Sequence, residues 1–358
     1  MNIPRSWMTL VLSLLLLDSA PSYALSITDF SVFGLGLVTI GGGSTVNSGL
    51  VGSGTQVTLA GASTVKQDIY VDSGGTGGKV VANNGVKVDG NIRATGRVSL
   101  GANNIIGGTI GAGDKVGFGN TALSTANFTT VVGTVTHPTG TTISTPNSTI
   151  GGNIIGTPQP AAPFLPSLPG ATLFSSGGTS YTGLGNGFDL TLAPSTSYGA
   201  IQGGGNGKLQ LSAGNYFFDS ISTGNGTDLI LDLAGGPIKI YVTDKASFGS
   251  VDVILKNNVG DASLIYLEAH GTGDNVFKAG GGSDWLGTAF TPNGDIHFGG
   301  SGCCSTFTGY FWAGIEVDIE HSVTGNLPPT QAPEPASLLL VSSGLAGLVA
   351  WRWRRARA

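Results

Sequence analysis

The chain has 358 residues, 61 of them glycine, more than twice the usual share of about 7%. Charged residues make up 10%, hydrophobic residues 40%, and mean hydropathy is +0.22, which excludes a disordered polyelectrolyte. The glycines follow no collagen triplet, Gly, Thr, Ser and Asn crowd out helix formers, and 16 cations against 21 acids leave no basic surface for nucleic acid. The composition predicts an all-β, turn-rich protein.

Residues 1–24 read as a signal peptide. Arg5 supplies the positive start, Trp7 to Leu17 the apolar stretch, and Ser22-Tyr23-Ala24 a small-x-small site for signal peptidase after Ala24.

Residues 25–150 are expected to form a Gly-rich parallel β-solenoid. Between Lys79 and Gly119 a six-residue beat runs through Val80, Val86, Ile92, Val98, Asn104, Ile110 and Val116. Two positions later stand Ala82, Val88, Ala94, Leu100, Ile106, Ala112 and Phe118. A spacing of two puts both positions on one face of a short strand, and the intervening glycines supply corners. Repetition every six residues is the mark of stacked coils, none of which buries its face without the next. An antiparallel meander would alternate but has no reason to repeat at six. A weaker, out-of-phase version uses Val51, Val57 and Ile69, with Asp72–Gly78 as a loop inserted at a corner. The pattern resembles that of bactofilin and hexapeptide-type parallel β-helices, with handedness left open.

Thr129 to Thr149 breaks the beat, and Pro158, Pro160, Pro163, Pro166 and Pro169 follow. Residues 151–172 are read as a Pro-rich linker or extended crossing strap, because proline at that density has no place in a sheet ladder. Alternation returns over 173–328, with Leu229, Leu231 and Leu233, then Ile238, Ile240 and Val242, then Val251, Val253 and Leu255. Near the end, Gly287-Thr288-Ala289-Phe290 leading to Asp295-Ile296-His297-Phe298 resembles Gly309-Tyr310-Phe311-Trp312 leading to Glu316-Val317-Asp318-Ile319. This predicts a second, wider solenoid filled by aromatic residues, with a jelly-roll sandwich as the rival.

The duplicated segment holds the candidate chemistry. With Ile296, Phe298, Val317 and Ile319 inward, stacking sets Asp295 near Glu316 and His297 near Asp318. Asp295, Glu316 and Asp318 then suit Ca²⁺, which takes oxygen ligands, or acid/base work on a polysaccharide. A plain solvated acidic face is the simpler alternative. No Lys or Arg stands between Lys278 and Arg352, which argues against a lyase needing cations near its substrate. Cys303 and Cys304 are the only cysteines, and export predicts a vicinal or intermolecular disulfide. His137, His270, His297 and His321 lack metal-site spacing, and Gly203-Gly204-Gly205-Asn206-Gly207 lacks the Lys-Ser/Thr of a phosphate loop. Thr134, Thr136, Thr139, Thr141 and Thr142 suggest an ice-binding or other flat-face adhesin, although His137-Pro138 interrupts them.

The chain closes on Pro333-Glu334-Pro335, an apolar stretch over 337–351 expected to enter the membrane, and Arg352, Arg354, Arg355 and Arg357. These three parts, over residues 333–358, resemble the sorting tail of the PEP-CTERM proteins of Gram-negative bacteria. The resemblance implies an exosortase as processing enzyme, a transient stay at the inner membrane, delivery to the cell surface or extracellular matrix, and company with exopolysaccharide. Arg5 and the tail arginines account for 5 of the 16 cations, and Asp18 and Glu334 for 2 of the 21 acids, so the body is near −8. The function expected is an exported, non-enzymatic structural or adhesive rod of the surface or biofilm matrix. A polysaccharide lyase or hydrolase is the alternative. No cofactor is expected beyond Ca²⁺, and no nucleic-acid partner.

Overall fold

The computed structural model describes residues 25–75, 77–119, 128–139, 141, 143, 148–156, 165–300 and 304–328. The signal peptide, Ala24, Pro333, Glu334, Pro335, the 337–351 segment and the tail arginines lie outside the described residues. Among those described, 34 strands of two to ten residues and three short 3-10 turns form one parallel ladder, without an α-helix. None of the described helices is long and apolar enough to cross a membrane.

The six-residue beat marks the three sides of a coil. Ile69–Val71, Lys79–Ala82 and Lys87–Val88 make one turn; Ile92–Ala94, Val98–Leu100 and Ile105–Ile106 lie on top of it. Ile92 pairs with Ile110 and Val98 with Val116, in each case 18 positions on, or three hexads. Ile69 to Ile92 spans 23 positions, because the Asp72–Gly78 loop bulges from one corner. Val86, Ile92 and Val98 are each no more than 1% exposed, so the aliphatic beat points into the rod. At the corners glycine admits close stacking: a Cβ on Gly113 would meet the Thr95 carbonyl oxygen at 2.1 Å.

Asn104 is the odd member of the beat, and it is fully buried. Its Oδ1 accepts from the Val86 N–H at 2.8 Å, and its Nδ2 donates to the Ala82 and Gly101 carbonyls. The bent backbone at this corner cannot complete the ladder, and the side-chain amide satisfies what is left over. Ser44 and Ser283 do the same elsewhere, accepting from Val323 N–H and Val251 N–H, each at 3.0 Å.

The C-terminal stretch is also a solenoid. Every described pairing in it is parallel, which rules out a jelly roll; Leu209 pairs with Leu229, Phe290 with Trp312 and His297 with Asp318. Its interior holds Phe218, Phe248, Phe277, Trp285, Phe307 and Phe311, all buried.

The two solenoid stretches are not two bodies in succession. The first coil of the chain lies in the middle of a single rod. Phe30–Gly34 pairs with Leu50–Ser53 on one side and with Ser305–Ala313 on the other; Leu37–Ile40 and Thr45–Val46 likewise contact Glu316–Ile319 and Val323–Asn326. One continuous hydrophobic core therefore runs through both stretches. The physical reason is that an open parallel edge on the first coil demands a partner, and the last coil supplies it. From this seam the chain winds outward to Ile154–Gly156, and begins again at Thr179–Leu184 to wind back.

Residues 165–178 cross the outside of the rod as a strap. Leu165 and Leu168 pack against the cluster of Phe30, Phe33, Phe290 and Trp312. Thr172 donates through its N–H and Oγ1 to the two oxygens of Glu268, both at 2.7 Å, and Phe174 lies on Phe217, Tyr241 and His270. Glu268 is fully buried, and Tyr266 Oη and His270 Nε2 complete its shell. A buried carboxylate is tolerable only with such complete hydrogen bonding.

Candidate functional site

One face of the rod carries the acidic residues of the duplicated segment. Strand alternation turns Asp295 and His297 outward between the buried Ile296 and Phe298, and does the same for Glu316 and Asp318 around Val317. Parallel register then sets His297 beside Asp318 and Asp295 beside Glu316. A shallow concavity there is also lined by Asp274 and Asn275.

His297 is held between two carboxylates, with Nε2 at 2.8 Å from Glu320 Oε1 and Nδ1 at 3.4 Å from Asp318 Oδ2. The contact with Asp318, and next the charge of Glu320, raise its pKa above the ordinary imidazole value. Burial, followed by the charge of Asp274, pushes Asp295 above the usual carboxylate range. Glu316 is also raised, by burial first and then by Asp318 and Asp295. Asp295 Oδ1 is buried with no hydrogen-bond partner among the described residues. His297, Asp318 and Glu320 present ligand atoms within 4.8 Å of one another, while Asp295, Glu316 and Asp318 offer an all-oxygen set.

Sequence alternation turns Glu320 outward beside Glu316 and Asp318 without assigning it a ligand role, and it gives no sign of Asp274. It also missed two cations: Lys245 Nζ donates to the Asp274 carbonyl at 2.8 Å, and Lys278 pairs in register with His297. The cation-free surroundings expected from the sequence are therefore corrected, because stacking brings in lysines from earlier coils.

A second surface lies across the seam. Thr306, Thr324, Thr45 and Thr64 form one column over four consecutive coils. Beside it run Thr308, Asn326 and Asn47, the last two joined by a side-chain hydrogen bond of 3.2 Å. Phe307 fills the space beneath, so a Cβ on Gly325 would meet its ring at 2.2 Å. The threonines singled out from the sequence behave differently. Thr136, Thr139 and Thr141 donate to the carbonyls of Ile110, Gly156 and Pro138, and Thr142 lies outside the described residues. They fasten a coil rather than display a lattice. Cys304 is exposed, and Cys303 lies outside the described residues.

Among solved structures, the chain is similar to an ice-binding protein from an Antarctic bacterium, Flavobacteriaceae. Identity is 12%, coverage 86% of this chain and 98% of that one, and the TM-score 0.27. A comparison with curated proteins gives no match. Residues 331–355 match the PEP-CTERM protein-sorting motif. The chain is thus a parallel β-solenoid carrying a PEP-CTERM sorting motif, an exported protein sorted by an exosortase at the membrane.

Proposed function

We propose that this protein is a non-enzymatic structural or adhesive rod of the cell surface or biofilm matrix that associates with exopolysaccharide. The observation that carries the reading is the polar array over the seam. Its rungs repeat at about 4.8 Å, and alternate outward residues on one strand stand about 6.7 Å apart. Hydroxyl and amide groups fixed at such intervals meet the repeating hydroxyls of a polymer at small entropic cost, because the scaffold is already rigid. The test is co-sedimentation of the purified protein with isolated matrix polysaccharide. Thr45→Lys with Thr324→Lys should abolish retention; unchanged retention would remove the array from the reading.

The same array supports a second reading, an ice-binding face, since one threonine stands on each of four successive rungs, Thr306 exposed and Thr324, Thr45 and Thr64 half-buried. Thermal hysteresis lost in the double variant would favour it, and no hysteresis in the parent protein would end it. On the acidic face, we propose that Asp295, Glu316 and Asp318 hold Ca²⁺, which calorimetric titration tests: a flat trace removes the site. Depolymerisation of the matrix polymer, abolished by replacing those three residues, would overturn the non-enzymatic reading.

A further inference from the structure

Charge is divided unevenly along the rod. Residues 25–156 hold six cations and five acids, whereas 157–328 hold five cations and fourteen acids. The division is sharpest on the face already described. Reading from one rung to the next, one column starts with Asp295 and Glu316 and passes to Leu37 and Gln56. It continues through Lys79, Arg97 and Lys115 on the three following rungs. The three cations are exposed, and among the described residues none has a carboxylate within salt-bridge distance. Seven rungs at about 4.8 Å make a strip about 29 Å long. Leu35 and Ile315, 46% and 45% exposed, stand at the corner beside its second and third rungs. The strip thus has an acidic end with an apolar shoulder beside it, an uncharged centre at Gln56 and a basic end.

We infer that this strip is a self-complementary surface on which two copies of the chain pack antiparallel. A two-fold axis lying in the contact plane, across the rung of Gln56, brings each rung opposite the one equally far beyond it. Glu316 of one copy then faces Arg97 of the other, Asp295 faces Lys115, and Leu37 meets the aliphatic stem of Lys79. Both sets of pairs form twice, as an isologous interface requires. Burial beside a like charge raises Asp295 and Glu316 in the single chain, so each gains from an opposing cation. The strip is narrow, so the association is weak and strongly salt-dependent.

The test is sedimentation velocity of the full chain, with a chelator present, at about 20 mM and about 500 mM NaCl. Dimer at low salt and monomer at high salt are expected. Arg97→Glu and Glu316→Arg should each weaken the dimer at least about tenfold, and the two together should restore it. Lys115→Glu with Asp295→Lys is a second, independent pair with the same expectation. All these side chains lie on the outside of strands, and circular dichroism checks that the fold is kept. A parent chain that is monomeric at low salt overturns the inference, as does a double reversal that stays monomeric. A dimer that appears only when Ca²⁺ is added overturns it too, in favour of bridging by the metal. Failure of the dimer leaves calorimetric Ca²⁺ binding by the single chain untouched, so the two ideas fall separately.

Discussion

The two stretches of the rod solve one packing problem with different side chains. Around Ile92 the coil is short, 18 residues from Ile92 to Ile110, and Val, Ile, Leu and Ala fill it. Between Ala246 and Phe277 the pairing spans 31 positions, and the interior holds stacked rings: Phe277 contacts Phe248, Trp285 and Phe311. The aliphatic interior takes one pair per side and keeps its 18-residue period wherever no corner insertion intervenes, as one does between Ile69 and Ile92. A wide bore filled by rings tolerates insertions at its corners. Strict periodicity therefore reports coils without corner insertions, and its loss does not report a change of fold.

The largest test of that contrast is in the wide bore. Phe277→Ala should cost about 3–5 kcal/mol in denaturant unfolding, against about 2–5 for Ile92→Ala in the aliphatic stretch. Equal losses would mean that both bores relax alike. Asn104→Ala should cost about 1–3 kcal/mol, because the Val86 N–H is left buried without an acceptor. Phe174→Ala should speed proteolysis within 165–178 while the melting of the rod changes little, since the ring lies on the outside.

The smallest effect is titration. His297, Asp295 and Glu316 all have raised values in the folded state, and all lie on the C-terminal stretch. Each therefore binds its proton more tightly when folded. Their contribution should be greatest below the ordinary carboxylate range, fall as pH rises through the raised values of Asp295 and Glu316, and fall again above the ordinary imidazole value through the raised one of His297, each step by about 1 kcal/mol or less. His297→Asn should flatten the upper part of that curve; an unchanged profile would place the titration elsewhere. On the other stretch Tyr70 is pushed up to about 12, by burial and then by Asp68, far outside this window.

The hexad beat and the Asp72–Gly78 insertion were legible because each concerns neighbours within about one coil. The juxtaposition of Asp295 with Glu316 was legible for a related reason, a duplicated segment offset by one turn. Asp274 was not, since the register between Gly273 and Phe277 shifts at an irregularity and breaks the count. Glu320 was legible as outward, since the alternation of Val317 and Ile319 continues one position past the strand; its contact with His297 was not, because it crosses between coils. The threonine column defeats any periodic reading, because Thr324 and Thr45 belong to opposite ends of the folded chain. The strap shows only as a run of prolines; that Thr172 would find a buried Glu268 depends on which coil it crosses.

The seam also imposes an order of events. Trp312 Nε1 donates to the Phe30 carbonyl across 282 positions, and Val323 N–H to Ser44 across 279. A chain synthesised from its N-terminus completes its earliest turn only when almost all of it has been made. Until then one flank of that turn displays unsated amides and carbonyls. The sorting motif begins at residue 331, just past the closing strand Val323–Asn326, so the address is appended where the rod is sealed. The sorting motif thus follows a strand at the waist of the described rod and not one at a tip.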